Sequence, residues 1–189
     1  MKPVCHVVAG PNGAGKSTFA LNYLPAYAES IEYVNPDLTA QGLSPTDIRL
    51  SAIKAGKLTL ARIAELIKAN TSFGFETTLS GRGHLRLLDG AKSAGFSINL
   101  YYLWMPEAAL LPMRIQHRVL DGGHDVPIDD VNRRYARSRT NLREYMSLAD
   151  TVYVFDATTP DLDLIWRRNG RVLVLDSVRV ARMRKEGYL

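Results

Sequence analysis

The sequence predicts an α/β domain built on a parallel β-sheet, and three observations lead to this prediction. The chain has 189 residues, of which 46% are hydrophobic, so residues 1–189 can enclose one substantial core as a single domain. Short segments rich in β-branched residues alternate with segments of helical periodicity. A glycine-rich loop lies between the first predicted strand and the first predicted helix, an arrangement that binds phosphate in many α/β proteins.

The glycine-rich loop has the spacing G-x-x-x-x-G-K-[ST], which is the P-loop or Walker A pattern. Its glycines allow backbone N–H groups to approach an anion closely, because no Cβ stands in the way. Lys16 can follow the β- and γ-phosphates, and the Ser17 hydroxyl can ligate Mg²⁺. The pattern predicts a nucleoside-triphosphate site formed by Gly10, Pro11, Asn12, Gly13, Ala14, Gly15, Lys16, Ser17 and Thr18.

The composition of the chain indicates which substrates and which cellular location suit this site. The formal net charge is +5 and the sequence pI is about 9.4, a balance that suits anionic substrates such as nucleotides, nucleotide-sugars or nucleic acid. A single cysteine, Cys5, excludes an intrachain disulfide and a zinc cluster of cysteines, and is expected to be a buried thiol. We expect no signal peptide ahead of the first strand, no membrane span and a cytoplasmic location.

A second strand is predicted over residues 31–35, where Pro36 ends it and Asp37 follows. In an open α/β sheet, ligands bind at the carboxyl ends of the strands, so Asp37 is a candidate site residue. An aspartate that follows proline is also typical of an ordinary turn, and both interpretations stay open here.

A long helix with a start signal at residues 44–47 separates this strand from a third, predicted over residues 72–78. Glu76 follows two aromatic residues of the third strand and is expected to be buried. A buried carboxylate needs a partner, which can be a magnesium–water shell, a substrate hydroxyl or an arginine.

Two arginine-rich helices follow the fourth strand, which is predicted over residues 97–104. The first is expected to open at Pro106-Glu107, and glycines in residues 121–127 separate it from the second. Residues 106–147 therefore resemble a mobile lid, in which Arg118 and one of Arg133 and Arg134 contact phosphate.

The C-terminal part begins with a fifth strand, predicted over residues 151–155. Residues 156–160 either line the nucleotide base or form a plain turn. Residues 161–189 are expected to form a hairpin around Asn169-Gly170, followed by a short basic helix.

The ordered set of these motifs resembles the zeta-toxin-like P-loop kinases, from about residue 4 to residue 156. The set comprises GPNGAGKST, Asn35-Pro36-Asp37, Phe75-Glu76-Thr77-Thr78 and the arginine-flanked segment Gly122-Gly123-His124-Asp125. The resemblance implies a central parallel sheet of strand order 2-3-1-4-5 with helices on both faces. It also implies that Asp37 is the general base and that Glu76 and Thr78 line an acceptor site. The family often has an arginine where this chain has Ser80, and Arg82 is expected to reach back in its place.

The resemblance implies a phosphotransferase that acts on an alcohol group. Its phosphoryl donor would be ATP or GTP with Mg²⁺. Its acceptor would be the sugar of UDP-N-acetylglucosamine or a similar small anion, and its protein partner would be an antitoxin. Catalysis is assigned to Asp37, Lys16, Arg118 and Arg134. Two alternatives are a polynucleotide-end kinase, although nucleic acid is not the expected partner, and a nucleotide-dependent ATPase that acts through another protein.

Overall fold

Seven strands form one sheet in the computed structural model, which describes residues 2–28, 32–43, 48–120 and 125–189. The strands are β1 (Val4–Ala9), β2 (Glu32–Val34), β3 (Phe73–Thr77), β4 (Ser97–Trp104), β5 (Thr151–Asp156), β6 (Asp163–Asn169) and β7 (Arg171–Val174). Their order across the sheet is β2-β3-β1-β4-β5-β6-β7. The first five run parallel, whereas β6 and β7 are antiparallel to their neighbours.

Helices connect the parallel strands and flank the sheet. They are α1 (Lys16–Asn22), α2 (Pro36–Leu43), α3 (Ile48–Lys68), α4 (Gly83–Ser93), α5 (Leu110–Leu120), α6 (Ile128–Leu148) and α7 (Ser177–Lys185). A 3-10 turn at Leu24–Ala26 follows α1, where Pro25 prevents further α-helix. None of the helices described in the structure has the length and apolar character needed to cross a membrane.

The central parallel sheet of strand order 2-3-1-4-5 expected from the sequence is confirmed, and two antiparallel strands extend it at one side. The C-terminal hairpin joins the same sheet, because β6 pairs with the otherwise open edge of β5. Gly170 adopts φ +70° in the turn of this hairpin, a conformation that glycine tolerates and that reverses the chain.

Two further differences concern helix starts. The helix expected to open at Pro106-Glu107 begins at Leu110, because a tight turn comes first, with Leu110 N–H donating to Glu107 O at 3.0 Å. The short helix α2 was not predicted, since the pattern at Pro36 indicated only the end of a strand. The predicted helix start at residues 44–47 lies outside the described residues, as does the part 121–124 of the predicted glycine-containing segment 121–127.

The core lies on both faces of the sheet. On one face α3, α4, α6 and α7 pack against the strands, and this cluster includes Ile63, Phe75, Leu88, Trp104, Leu142 and Met183. On the other face α1 and α5 cover the strands, and this cluster includes Val8, Phe19, Tyr101, Leu103, Leu111 and Ile115. The ends of α1 and α5 are therefore fixed close to the point where β1 leads into the P-loop.

His6 gives the folded protein a dependence on pH. Its side chain is buried in β1, with Nδ1 3.0 Å from the Tyr101 hydroxyl oxygen. Burial lowers the pKa of His6 from 6.5 to about 4. Between these values the unfolded chain binds a proton that the folded protein does not, so the free energy of unfolding rises with pH.

We therefore expect acidification from pH 6.5 to pH 4 to lower the free energy of unfolding, with each such histidine contributing up to about 1.4 kcal/mol per pH unit. His6→Asn should reduce this slope, as measured by urea unfolding across the range. It should not remove the slope, because burial also lowers the pKa of His84 to about 4. His117→Asn, at an exposed position on α5, is the control. Equal slopes in the His6→Asn variant and the wild type would contradict this assignment.

Candidate functional site

The P-loop connects β1 to α1. A Cβ on Gly10 would lie 2.8 Å from Leu103 O, so this position requires glycine. Gly15 adopts φ +85°, and a Cβ built there meets no atom within 4 Å. Space alone would therefore allow a side chain at Gly15, and the left-handed backbone conformation is the reason for glycine there.

Lys16 lies across its own loop and donates from Nζ to Pro11 O at 3.0 Å. Burial lowers the pKa of Lys16, while the nearby carboxylates of Glu76 and Asp37 act in the opposite direction. Arg118 and Arg134 lower the pKa further, because their positive charges also act at this ammonium group. The charges of these four side chains, which come from distant parts of the chain, thus all act on the Lys16 ammonium group.

Glu76 connects β3 to the P-loop. Its side chain is 3% exposed, and its Oε2 accepts a hydrogen bond from the Ser17 hydroxyl at 3.0 Å. The parallel pairing of β1 with β3, which sets Val8 beside Glu76, explains this contact between residues 59 positions apart. Burial raises the pKa of Glu76, and the positive charge of Lys16 opposes the shift. The sequence predicted that buried Glu76 needs a partner, and in this structure the Ser17 hydroxyl is that partner.

Asp37 lies in the first turn of α2 and not in a plain turn. Its Oδ2 lies 3.6 Å from Nη1 of Arg118 on α5. This ion pair brings a predicted base and a predicted phosphate-binding arginine to the same edge of the sheet as the P-loop. The catalytic roles of both residues remain predictions.

Asn35 is a site residue that the sequence reasoning missed. Its Oδ1 caps α2 by accepting from the backbone N–H groups of Asp37, at 2.8 Å, and Leu38, at 3.1 Å. Its Nδ2 lies 3.5 Å from the Ser17 hydroxyl oxygen. The signal was present in the sequence, because asparagine before proline matches an N-cap followed by the first helical position.

Arg133 and Arg134, of which one is predicted to contact phosphate, share one partner but differ in their effect on Lys16. Both Arg133 and Arg134 pair with Asp130, at 2.7 Å and 3.5 Å. Of these two, Arg134 is the one whose charge acts on Lys16. Arg114, beside Arg118 on α5, instead donates to Ala157 O and Thr158 O at 2.7 Å and 2.6 Å, which holds the loop after β5.

Thr78 begins the segment that follows β3, and its hydroxyl lies 2.8 Å from that of Ser80. The next residue, Leu79, adopts φ +56°, which is unfavourable for a side chain with a Cβ. Helix α6 holds this conformation, because Asn141 Nδ2 donates to Leu79 O at 2.7 Å and the Tyr145 hydroxyl donates to Gly81 O at 2.8 Å.

Arg82 does not reach back to this group in the structure. It is exposed and forms an ion pair with Glu144 of α6. It lines a surface cavity of about 500 Å³ between α4 and α6, and none of the P-loop residues lines that cavity. The expectation that Arg82 replaces the missing family arginine therefore has no support from this geometry, because its ion pair directs it along the outer surface.

The oxygen atoms of the site suit a hard cation better than a zinc-type centre. Ser17 Oγ and Glu76 Oε2 are the kind of ligand that Mg²⁺ accepts, either directly or through water. Within residues 2–28, 32–43, 48–120 and 125–189, His, Cys, Asp and Glu side chains form no group of three or more that could hold a metal ion by itself.

Comparison with known proteins identifies one relative by sequence and several solved structures with a similar fold. No protein-family model matches the chain. It is 34% identical over 126 residues to an uncharacterized protein of Haemophilus influenzae, covering 67% of this chain and 88% of that protein. The structure of the PezAT toxin–antitoxin system of Streptococcus pneumoniae matches 94% of this chain and 76% of its own, with TM-score 0.66 and 14% identity.

The structure of AvrRxo1-ORF1:-ORF2 with ATP matches 99% of this chain, with TM-score 0.75 and 16% identity. This chain spans only 64% of the length of that protein. At such identities the likeness to the solved structures concerns the fold.

Proposed function

The chain belongs to the same family as the uncharacterized Haemophilus influenzae protein and has the fold of the zeta-toxin-like P-loop kinases, and on this premise we propose that it is a nucleotide-dependent kinase. The observation that carries the proposal is the convergence of Lys16, Ser17, Glu76 and Asp37 at the P-loop. Kinase chemistry consists mainly of positioning the reactants and neutralising the charge of the transferred group.

The P-loop would hold the triphosphate of ATP or GTP. Lys16 now donates to an uncharged carbonyl, Pro11 O, and a phosphate oxygen is a stronger, charge-assisted acceptor. Nucleotide binding would therefore draw Nζ away from the loop and toward the β- and γ-phosphates. The same burial that lowers the pKa of Lys16 also makes its charge more effective, because little water screens it.

Asp37 would accept the proton of the attacking hydroxyl, and Arg118 would bind the transferred phosphoryl group. The two side chains now form an ion pair at 3.6 Å, and the charges of both act on Lys16 of the P-loop. A bound γ-phosphate would compete with Asp37 for Arg118, and the separation of this pair would release the carboxylate for the acceptor hydroxyl. Arg134 would add a second positive charge from α6.

Ser17 would ligate Mg²⁺, with Glu76 oriented by the Ser17 hydroxyl and placed to accept from a magnesium-bound water. When bound, Mg²⁺ supplies neutralisation of the β- and γ-phosphate charges. Asn35 supports this arrangement from the start of α2, since its Nδ2 lies 3.5 Å from Ser17 Oγ.

For the acceptor, we propose the amino-sugar hydroxyl of UDP-N-acetylglucosamine or a close relative. The resemblance to zeta-toxin-like kinases supports this class, and the basic net charge of +5 suits an anionic nucleotide-sugar. Glu76 and Thr78 would contact the acceptor from the end of β3. We also propose a protein antitoxin as partner, as the likeness to the PezAT toxin–antitoxin structure suggests. A cytoplasmic location is part of the same proposal.

The test supplies the protein with γ-labelled ATP or GTP, Mg²⁺ and three kinds of acceptor in parallel. Label in UDP-N-acetylglucosamine, detected by chromatography and mass spectrometry, is the expected result. Label at the end of an oligonucleotide would instead indicate a polynucleotide kinase, with an affinity that falls steeply with salt. Phosphate release with no labelled acceptor, even in a metabolite extract, would contradict the kinase proposal and favour an ATPase that acts through a partner.

A further inference from the structure

Strand β7 forms one edge of the sheet and, in the part of the chain that the structure describes, pairs with β6 alone. Just beyond the strand, Leu175 N–H donates to Ile165 O of β6 at 2.9 Å. Main-chain groups alternate in direction along an antiparallel strand, so those of Leu173 also face β6. The N–H and C=O groups of Val172 and Val174 consequently face away from the sheet and offer a template for another strand.

The side chains of this edge are apolar on both faces of the sheet. Val172 and Val174, on one face, are 51% and 39% exposed, and Leu173 and Leu175, on the other, are 48% and 51% exposed. Edge strands are usually protected from pairing by a charge, a proline or a bulge. Residues 172–175 contain no charged residue and no proline, and the register of β7 against β6 is continuous.

Charge is distributed unevenly along the hairpin. Arg167, Arg168 and Arg171 lie at its turn end, whereas Asp161, Asp163 and Asp176 lie at its open end. Arg179 of α7 pairs with Asp163 and Asp176 and offsets part of the negative charge there. A second hairpin laid antiparallel against the first would set each basic end beside an acidic end, whereas a parallel arrangement would set like charges together.

We propose that the strand which covers this edge is β7 of a second copy of this chain, in antiparallel register. The two sheets then join into one continuous sheet with a two-fold axis. A two-fold axis can relate the strands only if it passes through a pair of equivalent residues. We place it at Leu173, the centre of the apolar segment 172–174, because the outward groups of Val172 and Val174 then bond to each other. Val172 therefore exchanges hydrogen bonds with the partner's Val174, and Leu173 packs directly against the partner's Leu173.

This register can be tested with complementary charges at one position. Leu173→Lys and Leu173→Glu each place like charges opposite each other at the axis, and each variant should be monomeric by sedimentation and light scattering. An equimolar mixture should form a heterodimer, because lysine then lies opposite glutamate. Leu21→Lys, which charges an exposed leucine on α1, is the matched control and should dimerise like the wild type. Melting temperatures check that all variants fold.

The wild-type chain should show a concentration-dependent dimer from low to high micromolar protein. A wild type that stays monomeric throughout overturns the proposal and leaves this edge to a strand of another protein. A dimer that survives both single substitutions has its interface elsewhere and equally overturns it. Variants that are monomeric alone and also when mixed would overturn the register centred on Leu173.

Discussion

Lys16→Ala is expected to lower the rate of phosphoryl transfer by about 10³-fold or more, the effect of removing a preorganised charge from a phosphoryl-transfer site. Lys16 is the cation of the P-loop itself, and it lies beside the hydrogen-bonded pair formed by Ser17 and Glu76. Nucleotide affinity should also fall, since the ammonium group contacts the phosphates before and during transfer. The measurement is label transfer to the acceptor together with nucleotide titration.

Lys57→Ala is the matched control, because it removes the same charge from an exposed position on α3. Its turnover should stay within a few-fold of the wild type. The melting temperature of the Lys16→Ala protein must be measured as well, since the substitution leaves buried Glu76 without the positive charge that opposes its raised pKa. A folded Lys16→Ala protein with near-normal turnover would show that the P-loop is not the catalytic nucleotide site.

Asp37→Asn is expected to lower turnover by roughly 10²–10⁴-fold, the usual contribution of a positioned general base. Asparagine keeps the size and one acceptor oxygen of aspartate, but its neutral amide cannot take up the proton of the acceptor hydroxyl. Nucleotide affinity should not fall, because Asp37 lies on α2 and not in the P-loop, and its carboxylate competes with the γ-phosphate for Arg118. Turnover, nucleotide affinity and melting temperature are measured on one preparation.

Asp89→Asn, at an exposed position on α4, controls for the loss of a carboxylate. If Asp37 served only to pair with Arg118, its replacement would lower the melting temperature slightly and leave the rate per folded molecule unchanged. In that event Glu76 becomes the next candidate for the base, and Glu76→Gln would be the variant to measure.

The P-loop and the first five strands could be predicted because their signals are local. A glycine spacing or an apolar run is complete within about ten residues, and the order of the strands then brings Ser17, Asp37 and Glu76 to one edge. The contact between Ser17 and Glu76 itself could not be predicted from spacing, since it depends on the register of β1 against β3.

Features that depend on a partner distant in sequence could not be predicted from local patterns. Glu144 of α6, 62 residues after Arg82, pairs with Arg82 on the outer surface. The hairpin pattern at Asn169-Gly170 was clear, but only the open edge of β5 determines that the hairpin extends the sheet. The N-cap role of Asn35 was not predicted for a different reason. A proline after a strand is typical both of a strand end and of the first residue of a helix, and Pro36 is the latter.

Helix α6 carries two residues that act at different parts of the candidate site. It carries Arg134, whose charge acts on Lys16, and about 10 Å further along its axis Asn141, which donates to Leu79 O in the segment after β3. If α6 moves as one body toward a bound nucleotide, the hydrogen bond that holds Leu79 moves with it. By thermodynamic linkage, whatever factor the nucleotide applies to acceptor affinity, the acceptor must apply to nucleotide affinity.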